Sequence, residues 1–158
     1  MIIRNSTKAL LLRDNEILLN CCEFSDGTPY YDLPGGGQNP LEDIQASLLR
    51  EIMEETGYIA RIGRFAALTE EIYDDPEMHV KYPDFCHRIL HIFIAHAVEK
   101  VENAPIELDF QSHGCRWFSI DEAETLPILP ASLRGQLHEV IDGSAPVWLG
   151  TIHTAQKA

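Results

Sequence analysis

The alternation of apolar and polar positions predicts that the chain begins with strands. Apolar segments at residues 8–13 and 16–21 flank Asp14 and Asn15, which tolerate a positive φ, and this arrangement predicts a tight hairpin. Four further apolar segments have strand character, because they are short and bounded by residues that favour turns. These four segments lie at residues 30–33, 60–68, 87–98 and 115–118.

A helical pattern occupies residues 40–56 and has well-marked ends. Asn39 is the expected N-cap, Pro40 suits the first helical position, and Glu42 would complete a capping box. Gly57 follows the last apolar position, where a glycine commonly ends a helix in the left-handed conformation. The sequence therefore predicts one long central helix between two groups of strands.

Two shorter helices are predicted near the C-terminus. One begins after Ser119, with Glu122 completing a capping box, and the other covers residues 130–141 with its apolar side chains on one face. Residues 69–86 are acidic, contain proline, and are expected to form a solvated loop. Strands on both sides of a central helix predict an α/β class, with a mixed sheet covered by helices.

Length, charge and cysteine spacing narrow the functional classes. The 158 residues are enough for one domain with a sizeable core, and we expect a single domain over residues 1–158. The net charge of −13 argues against binding a nucleic acid polymer, and a chain so acidic needs metal cations to approach a phosphorylated substrate. The sequence shows no signal-peptide pattern and no apolar run long enough to span a membrane, so we expect a soluble cytoplasmic protein without a membrane partner. It also shows no C-x-x-C pair, so we expect the thiols to be reduced.

Three glutamates share one side of the central helix. With Glu51 at 0° on a helical wheel, Glu54 lies at about −60° and Glu55 at about +40°. Such a cluster of hard oxygen ligands favours Mg²⁺ or Mn²⁺, and Arg50 can pair with the neighbouring carboxylates and orient them. The alternative is a solvated, ion-paired helix face without a ligand.

Three consecutive glycines precede this helix. Gly35, Gly36 and Gly37 let a ligand approach the main chain closely, and the helix N-terminus adds a partial positive field. A loop that faces phosphate is therefore one interpretation, with Gly35 and Gly37 as substrate-binding residues. A merely flexible turn is the other interpretation.

The glycines and the acidic helix together resemble the Nudix box. The resemblance covers residues 36–58, and Tyr58, Asn39 and Leu41 stand where the family more often has an aliphatic residue, a glutamate and a glycine. The surrounding order of strands is also similar to the Nudix family over most of residues 8–141. The matching motif reads Gly36-x5-Glu42-x7-Arg50-Glu51-Ile52-x-Glu54-Glu55-x-Gly57-Tyr58.

This resemblance implies a fold, an activity and roles for the box residues. The fold would be the Nudix fold, an α/β/α sandwich with a mixed β-sheet between helices, and the activity would be metal-dependent hydrolysis of a diphosphate linkage. Glu51, Glu54 and Glu55 would bind Mg²⁺, or Mn²⁺, together with the carbonyl of Gly36. The catalytic set would be Glu51, Glu54, Arg50 and Glu42, with the last two as supports.

The general base is less well defined by the resemblance. Glu51 is the favoured group for accepting the proton of the attacking water. The family often has an acid just before the position of Trp117, and this chain lacks one there, so Asp109 and His113 remain alternatives.

The resemblance leaves the substrate open. A (d)NTP or an oxidised (d)NTP is the leading expectation for the small-molecule nucleotide partner, and ADP-ribose, a nucleotide sugar or a dinucleoside polyphosphate is the alternative. A sensor module that binds a nucleotide metabolite without catalysis is the alternative from another class. Tyr31, His87 and His91 are weaker candidates for substrate binding, and the apolar C-terminal extension, residues 145–158, could cover the core or pair with a second subunit in a homodimer.

Overall fold

The structure is a computed structural model that describes residues 2–109 and 111–154, so residues 155–158 of the C-terminal extension lie outside the described part. The regular secondary structure of these residues consists of eight strands, four α-helices and one 3-10 helix. The strands are β1 (Arg4–Arg13), β2 (Glu16–Glu23), β3 (Pro29–Asp32), β4 (Tyr58–Tyr73), β5 (His87–Lys100), β6 (Ser112–Ser119), β7 (Ile128–Leu129) and β8 (Val147–Thr154). The helices are α1 (Ile44–Thr56), α2 (Pro76–Lys81), α3 (Ile120–Ala123) and α4 (Leu137–Asp142), and the 3-10 helix is Ala131–Leu133.

The strands form one mixed sheet in the order β7-β3-β2-β1-β5-β4-β8, with β6 paired to β2. Strands β1 and β5, β3 and β7, and β4 and β8 run parallel, and the other pairs are antiparallel. The predicted hairpin is confirmed, since β1 and β2 pair across a turn in which Asp14 has a φ of 51°. The mixed sheet expected from the order of elements is therefore confirmed.

Two hydrophobic cores lie on opposite faces of the sheet. Alternating residues of β1 point to each face, so Leu10 joins one core and Leu11 joins the other. Helix α1 covers the second face through Leu48 and Ile52, both fully buried. Helices α3 and α4 cover the first face, where they pack around Phe118. These three layers confirm the α/β/α sandwich.

The sheet opens into a V beside the hairpin. Strands β1 and β2 pair only near the hairpin turn, from Leu11↔Leu18 to Arg13↔Glu16, and then separate. The chain that follows β3 takes the edge of β1 that β2 leaves free. There the amide of Ala9 donates to the Pro34 carbonyl at 2.8 Å, and that of Thr7 donates to the Gly36 carbonyl at 2.9 Å. The glycine segment is therefore fixed to the sheet by backbone hydrogen bonds.

Helix α1 begins later than the sequence predicts. The N-cap is Asp43, whose carboxylate accepts hydrogen bonds from the amides of residues 45 and 46, and the predicted cap at Asn39 is wrong. Leu41 has a φ of 66°, which a helix does not permit, so residues 40–42 form a turn. The predicted end is confirmed, because Gly57 has a φ of 69° and donates its amide to the Met53 carbonyl.

Two other predicted boundaries are wrong. The expected loop at residues 69–86 contains the end of β4 and the helix α2, which Asp75 caps. The expected helix at residues 130–141 is divided into the 3-10 helix and α4, because Gly135 between them has a φ of 72°. The predicted cap at Ser119 is confirmed, since its hydroxyl accepts a hydrogen bond from the amide of Glu122.

The apolar C-terminal segment forms the last strand of the sheet. Strand β8 pairs in parallel with β4, and Leu149 packs against the core that α3 and α4 cover. The first half of β8 thus covers the core, which is one of the two roles expected for this segment. Among the described residues, no helix has the length and apolar character needed to cross a bilayer.

Candidate active site

The guanidinium of Arg50 is the centre of the acidic cluster on α1. Its Nε donates to Glu42 Oε1 at 2.8 Å and its Nη2 donates to Glu42 Oε2 at 2.9 Å, which is a bidentate ion pair. Hydrogen bonds from Arg50 lower the pKa of Glu42 to about 2. Glu42 therefore stays ionised and holds the guanidinium in a fixed plane.

The same guanidinium also reaches the other box residues. Its Nη1 donates to Glu51 at 2.7 Å and to Glu54 at 3.0 Å, while Nη2 donates to the Gly37 carbonyl at 3.1 Å. Hydrogen bonds, first of all those to Glu42, raise the pKa of Arg50 above its usual value. One cation thus offsets the repulsion among three carboxylates and connects them to the glycine loop.

Glu51 lies directly against Gly36. A Cβ added at Gly36 would lie 2.6 Å from Glu51 Cδ, so only glycine leaves room for this carboxylate. The Gly36 carbonyl accepts a hydrogen bond from Thr7, and a carbonyl oxygen has a second lone pair for a further partner. Gly35 has a φ of +134°, and a Cβ there would collide with the Thr7 carbonyl. Gly35 is therefore required by the backbone geometry, and Gly36 leaves the space that Glu51 occupies, which the interpretation as a merely flexible turn does not explain.

Glu55 occupies a buried position behind the glycine loop. Glu55 is only 8% exposed, and its Oε2 accepts hydrogen bonds from Asn20 Nδ2 and from the Gly35 amide, both at 2.9 Å. Burial raises the pKa of Glu55 to about 7 despite these donors. The group therefore changes its charge near neutral pH, which is unusual for a glutamate.

A buried ion pair lies next to Glu55. Lys8 Nζ donates to Asp32 Oδ2 at 2.8 Å and to the Leu33 carbonyl at 3.0 Å. Burial disfavours the charged lysine, but the charges of Asp32 and Glu55 and the hydrogen bond to Asp32 together outweigh it and raise the pKa of Lys8. Lys8 thus provides fixed positive charge where the chain enters the glycine loop.

The chemistry of these donors fits a hard divalent cation. Glu51, Glu54 and Glu55 offer carboxylate oxygens, and Gly36 offers a carbonyl oxygen beside Glu51. Within residues 2–109 and 111–154, however, no three His, Cys, Asp or Glu side chains converge closely enough to hold a metal ion. Arg50 bonds Glu51 and Glu54, and Glu55 accepts from the Gly35 amide. The assignment of metal ligands therefore stays a prediction.

A cavity of about 520 Å³ lies in the V of the sheet, beside this cluster. Asn20 and Asp32 line it near the box, so the residues that contact Glu55 and Lys8 also form one side of the cavity. Strands β4, β5 and β8 form the opposite side. Aromatic side chains are frequent in the lining, namely Phe24, Tyr30, Tyr73, Tyr82 and Phe85.

The weaker candidates for substrate binding lie elsewhere. Tyr31 packs edge-on against Phe118, with the two ring centroids 5.2 Å apart. Tyr30 faces the cavity instead, because successive residues of a strand point to opposite faces. For the same reason Arg88 lines the cavity while His87 bonds to Glu70. His91 lies near the Ser6 carbonyl at 3.3 Å. Among the described residues that line the cavity, none of Tyr31, His87 and His91 appears.

Sequence reasoning missed several residues of this region. Asn20 and Lys8 occur in predicted strands and carried no local signal, because their partners are distant in the chain. Asn20 bonds to Glu55, 35 positions away, and Lys8 bonds to residues 24 and 25 positions away. Asp109, named as an alternative base, lines the cavity, whereas His113 is exposed on β6. The buried pair of Arg88 and Glu71 in the cavity wall was also not predicted.

The three layers, the glycine loop and the acidic helix together define a NUDIX-type α/β domain. Residues 1–140 match the NUDIX domain, so the chain belongs to the NUDIX family. The expected Nudix fold is thereby confirmed.

Individual relatives agree with this assignment. Over 80 residues the chain is 28% identical to a protein of Bacillus subtilis (strain 168) that carries the provisional name 8-oxo-dGTP diphosphatase. That match covers 51% of this chain and 46% of the relative, so it spans less than half of the relative's length.

Solved structures share the fold at lower identity. A NUDIX hydrolase from Nitrosomonas europaea superimposes with a TM-score of 0.68 at 20% identity, covering 89% of each chain. A MutT protein from Bacillus halodurans superimposes with a TM-score of 0.65 at 19% identity, covering 96% of this chain and 90% of that one. At these identities the similarity establishes the fold alone.

Proposed function

We propose that the protein is a divalent-metal-dependent pyrophosphohydrolase that cleaves the diphosphate linkage of a nucleoside diphosphate derivative. The observation that carries this proposal is the meeting of the box carboxylates with the glycine loop beside an aromatic cavity, to which Asn20, the partner of Glu55, also belongs. Glu51 touches Gly36, and Glu55 accepts from Gly35, so the acids and the loop form one surface. A phosphate group placed there would leave its organic substituent free to enter the cavity.

In this proposal Glu51, Glu54, Glu55 and the Gly36 carbonyl hold Mg²⁺ or Mn²⁺. A bound ion of this kind neutralises phosphate charge and lowers the pKa of a coordinated water. Arg50 and Glu42 position the carboxylates, because their bidentate pair fixes the guanidinium that Glu51 and Glu54 contact. Each acid uses only one oxygen on Arg50 Nη1, Glu51 its Oε1 and Glu54 its Oε2, so the other oxygen of each carboxylate can serve as a ligand while Arg50 holds the side chain.

Glu51 is the proposed base for the attacking water. Water attacks one phosphorus atom, the bridging P–O bond breaks, the water proton passes to Glu51, and the second phosphate leaves with the bond electrons. Glu51 suits this role because its carboxylate is partly exposed and is held beside the loop by Gly36. Asp109 in the cavity wall is the alternative base.

The proposed substrate is a (d)NTP or an oxidised (d)NTP. The aromatic lining suits a nucleobase, whose flat ring stacks on such side chains, and the curated relative named for 8-oxo-dGTP supports the same class. ADP-ribose, nucleotide sugars and dinucleoside polyphosphates are the competing substrates. A sensor without catalysis is a weaker interpretation, because the acids assigned to metal binding and its support, Glu42, Glu51, Glu54 and Glu55, are all present.

Replacing Glu54 by Gln tests the metal assignment. We expect Mg²⁺-dependent turnover to fall by about a hundredfold or more, because one ligand charge is lost, while the melting temperature stays within a few degrees. Glu99→Gln, at an exposed position of β5, is the control and should keep full activity. Calorimetric titration with Mg²⁺ should show weaker binding for Glu54→Gln only. Unchanged turnover and Mg²⁺ affinity in Glu54→Gln would contradict the ligand assignment.

A screen with product analysis tests the substrate class. The protein is incubated with Mg²⁺ and (d)NTPs, oxidised dGTP, ADP-ribose, NADH, dinucleoside polyphosphates or CoA, and the products are separated. Release of a nucleoside monophosphate with pyrophosphate supports the leading substrate class. Binding of a nucleotide without any product would favour the sensor instead.

A further inference from the structure

We propose that strand β8 forms the far wall of the cavity and determines which organic group the site accepts, with Ile152 as its contact to the base of the substrate. This inference rests on the proposed function and deepens it. Strand β8 covers residues 147–154, beyond residues 1–140 that match the NUDIX domain.

The register of the sheet places β8 on the cavity. Ile152 pairs with Glu71, and Thr154 pairs with Tyr73, and all four residues line the cavity. Paired residues on adjacent strands point to the same face, so Ile152 and Thr154 extend the surface that β4 begins. Without β8, that surface would end at Glu71 and Tyr73.

A shift in register gives β8 two different tasks. Leu149 packs against the hydrophobic core, and the pairing with β4 then shifts between Leu68 and Glu70. Gly150 lies at this shift with a φ of +89°, a conformation that favours glycine, and its carbonyl accepts a hydrogen bond from Thr69 Oγ1 at 2.9 Å. The first half of β8 is thereby anchored in the core, and the second half reaches the cavity.

The outer face of β8 is tied to β4 by side chains. Thr151 Oγ1 donates to Glu70 Oε2 at 2.7 Å, and His153 Nδ1 lies 3.0 Å from Asp74 Oδ1. The amide of Asp74 also donates to the Thr154 carbonyl at 2.9 Å. The two side-chain contacts come from exposed residues of β8 that do not line the cavity, and the backbone pairing with β4 holds the strand independently of them.

The chemistry of the wall fits a flat heterocycle. Ile152 is aliphatic and partly buried, and the same cavity is lined by the stacked rings of Phe24 and Tyr30, whose centroids lie 4.1 Å apart. In this inference the base lies in a slot between the apolar side chain of Ile152 and these aromatic rings, and the size of residue 152 determines the width of that slot. Phosphate groups are held at the other end, near Asn20 and Glu55.

Ile152→Trp is the test, because it narrows the slot without touching the acidic cluster. The matched control is Thr151→Trp, which places the same bulk on the exposed outer face of the same strand. KM and kcat are measured with dGTP and with deoxyribose 5-triphosphate, which lacks the base. Binding of a non-hydrolysable dGTP analogue is measured by calorimetry, and melting temperatures confirm that both variants fold.

We expect Ile152→Trp to raise KM for dGTP and the Kd of the analogue by about tenfold or more, with kcat little changed. KM for deoxyribose 5-triphosphate should not change, and Thr151→Trp should leave all values near wild type. An unchanged Kd and KM for dGTP in Ile152→Trp, or an equal rise for the substrate without a base, would overturn the inference while the proposed function stands. If the wild type neither binds nor hydrolyses dGTP and deoxyribose 5-triphosphate, the inference and the proposed (d)NTP substrate class are both overturned.

Discussion

The buried carboxylate of Glu55 gives the clearest physical prediction. Replacing it by Gln keeps an oxygen that can accept from Asn20 and from the Gly35 amide but removes the charge. Because burial raises the pKa of Glu55 from 4.5 to about 7, its ionised form is less stable in the folded protein by about 3 kcal/mol. The neutral side chain avoids this cost.

The sign of the pH dependence follows from proton counts. Between pH 4.5 and about 7 the folded protein retains a proton on Glu55 that the unfolded chain has released, so stability falls as pH rises through this window. Above about pH 7 this contribution of Glu55 to the free energy of unfolding is fully lost. Glu55→Gln lacks this component, so the variant should be more stable than wild type above pH 7, by up to about 3 kcal/mol.

Urea unfolding in EDTA at pH 5 and pH 8 measures this effect. The quantity compared is the change in the free energy of unfolding between the two pH values, for wild type, Glu55→Gln and the exposed control Glu99→Gln. We expect wild type and the control to lose more stability than Glu55→Gln on going to pH 8. Equal losses in all three proteins would refute the argument that burial keeps Glu55 protonated.

Two further predictions test the loop and the helix start. Gly36→Ala should lower kcat by about tenfold or more with little change in melting temperature, because the new Cβ would lie 2.6 Å from Glu51 Cδ and displace that carboxylate; wild-type activity would show that the carboxylate position is unimportant. Asp43→Ala should lower the free energy of unfolding by about 1 kcal/mol through loss of the N-cap. Asn39→Ala should change it by less than about 0.5 kcal/mol, and the reverse order would contradict the helix start described above.

Features set by neighbouring residues could be predicted from the sequence. The hairpin follows from two apolar segments around Asp14, the helix end from Gly57, and the α3 cap from Ser119. In each case the signal and the structure lie within a few positions of each other. The mixed sheet followed from the order of these local elements.

Features set by distant contacts could not be predicted. The raised pKa of Glu55 depends on its burial behind a loop whose Gly35 is 20 positions away in the chain. The cavity exists because β1 and β2 separate, and no local pattern marks that point. Helix starts also depended on single φ values, such as that of Leu41, which pattern reasoning assigned to a helix.

The late start of α1 explains the long interval between Glu42 and Arg50. On an uninterrupted helix, two residues eight positions apart are separated by about 12 Å along the axis, yet these side chains form a bond of 2.8 Å. The turn at Leu41 brings Glu42 alongside the first two turns of the helix, where its carboxylate accepts both hydrogen bonds from the Arg50 guanidinium. Any change that extended the helix through residues 40–42 would carry this carboxylate out of reach and leave Arg50 without its anchor.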